Sequence, residues 1–94
     1  MDATADLETR TSVLQEAETL INGPRRDDYG DVRWSFEAVA KGWTEIIKAP
    51  VTAEQVALCM VWLKVMREVN APKRDNLVDI AGYTGLVEKL GAGQ

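Results

Sequence analysis

The sequence contains no histidine and a single cysteine, Cys59. That inventory excludes histidine-based acid–base catalysis, Cys–His nucleophiles, the common zinc sites and any intramolecular disulfide. Basic residues are also scarce, eleven against fifteen acidic ones, giving a net charge of −4. A chain of this sign lacks the broad positive field that generic nucleic-acid or membrane-surface binding needs. No uninterrupted apolar run is long enough to span a bilayer. The first ten residues are polar and acidic, without the basic flank and apolar run of a secretion signal. These absences point to a reduced, cytoplasmic setting. With Leu58, Met60 and Val61 as neighbours, Cys59 is expected to be a buried core thiol.

Only three prolines occur, and each interrupts an apolar pattern. Asn22, Gly23 and Pro24 stop a first amphipathic helix expected from about Thr4 to Ile21, with Leu7, Val13, Leu14, Ala17, Leu20 and Ile21 on its apolar face. Ala49-Pro50-Val51 ends a second, expected from Val32 to about Ile47, whose stripe is Val32, Phe36, Val39, Ala40, Trp43 and Ile47. Trp34 lies off that stripe, at a position suited to a subunit interface or to stacking on a ligand. Asn70-Ala71-Pro72 ends a third, and a fourth is expected from Asp75 to about Leu90. Thr52-Ala53-Glu54-Gln55 reads as a capping box that starts the third helix.

Ninety-four residues, 46% of them hydrophobic, make one small domain over 1–94, with 1–10 and 91–94 expected as flexible ends. Short connections favour an antiparallel four-helix bundle. A core of this size is only marginally buried, so a homo-oligomer is expected to complete it.

The third helix is apolar nearly all round and is expected to be the buried centre of the bundle. Within it Lys64 and Arg67 continue the stripe of Ala57 and Met60, which directs two cations inward. A buried cation needs a carboxylate, an anionic ligand, or both. The fourth helix brings Asp75, Asp79, Gly82, Tyr83 and Leu86 to one side. Gly82 and Gly85 each cost roughly 1 kcal/mol of helix propensity against alanine, a cost that close approach by another element or a ligand would offset.

Three readings of these residues stand side by side. Lys64 and Arg67 pair with Asp75 and Asp79 and fix helix register. Alternatively, Asp75 and Asp79 hold Mg²⁺ for phosphate chemistry, although the facing cations oppose a metal. The third reading is a phosphorylated small molecule bound without chemistry, its phosphates taken by Arg25, Arg26, Lys64, Arg67, Lys73 and Arg74 while a Tyr or Trp stacks on a base. The charged loop from Pro24 to Asp31 divides in the same way. It is a solvated turn with Asp31 as N-cap, or a phosphate contact made by Arg25 and Arg26 with Tyr29 as an aromatic face.

The run Arg26-Asp27-Asp28-Tyr29-Gly30-Asp31, then Phe36 and Trp43, then Val56, Met60, Lys64 and Arg67, then Arg74-Asp75 and Asp79-Ile80-Ala81-Gly82-Tyr83, resembles a small phage and prophage family of unknown function. The resemblance covers roughly Leu14 to Leu90. More distantly it is similar to the all-α MazG-like nucleoside triphosphate pyrophosphohydrolases, which are dimeric or tetrameric four-helix bundles that hold Mg²⁺ on ExxE and ExxD motifs. In this chain Lys64 and Arg67 stand where ExxE belongs, and of the second motif, near Asn76 and Asp79, only Asp79 matches.

The resulting expectation is a MazG-like bundle in the bacterial host's cytoplasm that binds a nucleotide-like anion without hydrolysing it, in a phage context a host immune signal. Its ligand-binding residues are Arg25, Arg26, Tyr29, Lys64, Arg67, Arg74, Asp75, Asp79 and Tyr83, with no catalytic residue, no resident metal and no cofactor. Two alternatives stand beside it. One is a Mg²⁺-dependent pyrophosphohydrolase, and the other a protein–protein module that acts on a host factor through Trp34 and Trp62.

Overall fold

The computed structural model describes residues 11–22 and 32–91. The first-helix residues before Thr11, the loop with Arg25, Arg26 and Tyr29, and the last three residues lie outside them. The described residues form four helices and no strand, as the all-α expectation has it: α1 Val13–Asn22, α2 Val32–Ile47, α3 Ala53–Asn70 and α4 Arg74–Gly91.

Local chemistry sets the helix ends. Ser12 Oγ accepts from Gln15 N at 3.1 Å and Gln15 Oε1 accepts from Ser12 N at 3.0 Å, a reciprocal pair that opens α1. Thr52 and Gln55 make the same exchange before α3. Each pair satisfies two amides that have no partner within the helix. α2 ends where Lys48 adopts a left-handed φ of 60° while its N–H donates to Thr44 O at 2.9 Å. Thr44 Oγ1 also accepts from Val51 N and so holds the connection to α3.

α3 and α4 form a hairpin joined only by Ala71, Pro72 and Lys73. Near the turn, Glu68 Oε1 accepts from Lys73 N at 2.9 Å and from the side-chain amide of the buried Asn76 at 3.2 Å. Farther along, Lys64 meets Asp79, and at the open end Ala53 and Ala57 pack with Leu90, flanked by Phe36 and Val87. Two alanines one turn apart let the helix axes come close.

α1 crosses α4 in the same sense. Glu16 pairs with Arg74 at the start of α4, and farther on Ile21 packs at Gly85 and its carbonyl accepts from Lys89 at 3.4 Å. Expecting antiparallel neighbours from short connections is sound for α3 and α4. It does not extend to α1 and α4, which are far apart in the chain.

Three expectations are corrected. α3 is not the buried centre: only Ala53, Val56 and Ala57 are buried on it, and Leu58, Trp62, Leu63, Met66 and Val69 are exposed. α4 shares the central place, packed against α3 and α1 as α3 is packed against α4 and α2. A helix apolar nearly all round signals two apolar faces, and here one of them has no neighbour among the described residues. Cys59, on the flank of that face, is exposed rather than a core thiol. Along the expected α2 stripe Ala40 is buried, whereas Val39 and Ile47 are exposed.

Lys48 takes a backbone conformation that costs an L-residue roughly 1–2 kcal/mol and glycine little. Its side chain is exposed. Lys48→Gly is therefore expected to raise unfolding stability by about 1 kcal/mol, read as a higher urea midpoint at unchanged slope.

Candidate functional site

A cavity of about 450 Å³ lies where α1, α2 and α4 meet. α1 contributes Leu20 and Ile21, and α2 contributes Val32, Ser35 and Phe36. α4 contributes Val78, Asp79, Gly82, Tyr83 and Leu86. The α4 residues recur at three- and four-residue spacing, so one face of a single helix forms a continuous wall. Phe36 and Tyr83 form an aromatic corner, with ring centroids 6.3 Å apart and planes tilted by 59°.

Asp79 is the one charged group among these lining residues. Its Oδ2 lies 2.9 Å from Lys64 Nζ, and the Lys64 side chain is only 16% exposed. The carboxylate thus belongs to the cavity wall and to the α3–α4 contact together. The ammonium keeps it oriented, and no other hydrogen bond to it is made among the described residues.

The two interior glycines of α4, Gly82 and Gly85, work differently. A Cβ at Gly85 would stand 2.6 Å from Ile21 Cδ1, so this glycine admits α1. A Cβ at Gly82 would meet nothing within 4 Å, although Gly82 is itself buried. Its missing side chain leaves cavity space open.

Among the described residues the expected cations make separate contacts. Lys64 is held by Asp79. Arg74 is bound to Glu16 of α1 and to the Thr11 carbonyl, which makes it a clasp for the first helix. Arg67 and Asp75 are exposed and form no ion pair with each other. Arg25, Arg26 and Tyr29 lie outside the described residues. Tyr83 and Asp79 both line the cavity.

Sequence reading missed Arg33, whose guanidinium donates to Lys89 O at 3.1 Å and Leu90 O at 3.0 Å, carbonyls at the last turn of α4. A cation there satisfies orphan carbonyls and opposes the negative end of the helix dipole. Asn76 was also missed, although an Asn just after a Pro-containing turn is a recognisable turn signal. Among the described residues no three acidic, cysteine or histidine side chains converge as a metal site.

Residues 12–91 match the family model described as "Domain of unknown function (DUF6378)". The chain belongs to this family. The DUF6378 chain is 42% identical over 81 residues to "Gene 55 protein" of Mycobacterium phage L5, covering 84% of this chain and 52% of that protein. It is 34% identical over 80 residues to "Gene 55 protein" of Mycobacterium phage D29, covering 84% of this chain and 53% of that one. It thus spans about half the length of the curated relatives it matches. No solved structure matches it. Among its described residues no helix is long and apolar enough to cross a membrane.

Removing Asp79 alone strands the Lys64 ammonium, so Asp79→Ala should destabilise by about 1–3 kcal/mol. Replacing the pair together, Lys64→Met with Asp79→Leu, should return stability to within about 1 kcal/mol of the parent. Chemical denaturation of the three proteins checks both values.

Proposed function

We propose that this chain binds a nucleotide-like small molecule without hydrolysing it, its base and sugar in the cavity and its phosphate outside. The observation that carries the reading is the cavity's make-up: apolar walls, an aromatic corner of Phe36 and Tyr83, and one carboxylate pre-oriented by Lys64. A nucleoside offers a flat apolar body with N–H and O–H donors, and Asp79, Ser35 and Tyr83 are suited to meet them. None of the lining residues is basic, so a phosphate has no partner inside. Outside, Arg67 is exposed one helical turn from Lys64 and is a described cation suited to take it.

The non-hydrolytic reading is favoured over a Mg²⁺-dependent pyrophosphohydrolase by the donor set. Phosphate-directed Mg²⁺ needs converging carboxylates, and the described residues bring Asp79 against an ammonium instead. A MazG-like ancestry belongs to the same proposal: α3 and α4 would be the helices that carry metal in such enzymes, with Lys64 and Arg67 in place of the first acidic pair. In a phage, such a protein would withdraw a host nucleotide signal by stoichiometric capture.

Isothermal titration against mono-, di-, tri- and cyclic nucleotides tests the reading. At least one should bind with 1:1 stoichiometry per chain, and no heat with any of them sinks it. Gly82→Ala sharpens the test, because the added methyl enters the cavity while relieving helix strain. It should raise stability by up to about 1 kcal/mol and weaken ligand binding tenfold or more, whereas Gly85→Ala, which presses on Ile21, should gain less stability.

A further inference from the structure

α3 presents a second apolar face that the other described residues leave open. Leu58, Trp62, Met66 and Val69 are 54%, 67%, 48% and 73% exposed. Steps of four, four and three residues place them in one stripe at about 3.6 residues per turn. Leu63 and Cys59 flank it, both exposed. The four charged residues of α3, Glu54, Lys64, Arg67 and Glu68, all fall at other angles around the helix. A surface helix normally turns its charges away from the core. Here the side turned away from the core is charge-free.

We propose that a second copy of this chain covers the stripe, α3 against α3, antiparallel about a two-fold axis midway between Leu58 and Val69. A two-fold contact sets one surface against itself, which a face without charge accepts at no electrostatic cost. At its ends, antiparallel pairing brings Glu54 of one copy toward the exposed Lys73 of the other. It also opposes the two helix dipoles. The exposed stripe with Leu63 amounts to roughly 500 Å² per copy, so pairing that covers all of it removes about 1,000 Å² of mainly apolar surface, the lower bound for a specific interface. Trp62 sits near the centre of the contact, where an aromatic anchor contributes most. This proposal does not depend on the small-molecule reading.

Sedimentation equilibrium of the 94-residue chain should give twice 10.4 kDa. Trp62→Glu and Met66→Lys should each give a monomer of unchanged helical circular dichroism, because both side chains are exposed in the single chain. Trp34→Glu, at an exposed position on α2, should leave the dimer intact. The antiparallel register places the two Cys59 thiols roughly 13 Å apart along the axes, beyond disulfide reach, so mild oxidation should not link the copies. A parent that stays monomeric overturns the proposal and leaves a host protein, or a further segment of a longer chain, as the occupant. A dimer that survives Trp62→Glu, one lost only in Trp34→Glu, or a rapid Cys59–Cys59 disulfide overturns it equally.

Discussion

One ammonium–carboxylate contact ties the parts of this molecule together. Lys64 on α3 and Asp79 on α4 meet at 2.9 Å, midway along the hairpin between the Glu68–Asn76 turn contacts and the Ala57–Leu90 packing. A slip of either helix by one residue would rotate the pair apart and leave a largely buried cation without a counter-charge, so the contact specifies register whatever its net contribution to stability. The same register sets Gly82, Tyr83 and Leu86 on the cavity side of α4. Scaffold and site therefore share one constraint.

The core around that contact is made of small residues. Ala17, Ala40, Ala53 and Ala57 are buried, with Val56, Val78 and Leu90 as the larger members. Small side chains let helices approach closely but remove little apolar surface from water, about 25 cal/mol for each Å². The large apolar side chains lie outside this core: Trp34, Ile46, Ile47, Trp62 and Val69 are all more than half exposed. Four alanines are thus in the core while Trp34 and Trp62 lie outside it, so much of the large apolar surface of the described residues stays in contact with solvent in the single chain.

Much of the fold could be read from the sequence, because the signals were local. Thr52 and Gln55 announced the start of α3, and the Val32–Ile47 helix ended where its apolar period and the following proline said it would. Asp79, Gly82, Tyr83 and Leu86 share a face because helical geometry requires it, and that face lines the cavity. What remained hidden depends on partners distant in sequence. Nothing near Arg74 indicates that Glu16, fifty-eight residues earlier, will claim it, nor does anything near Arg33 point to the last carbonyls of α4. Hydrophobic periodicity reports that a face is apolar without saying what covers it, which is why α3 looked central and Cys59 looked buried.

The distribution of charge decides what chemistry the site can carry. Had Lys64 been acidic, Asp79 would face a second carboxylate across the hairpin, and two like charges at that distance favour a divalent cation between them. With lysine there, the carboxylate is already neutralised and no comparable demand for metal remains at that position. The ammonium holds Asp79 as a hydrogen-bond acceptor at the wall of a largely apolar cavity. A base rather than an acid at this one position on α3 thus ties the one charge among the cavity's lining residues to the register of the hairpin.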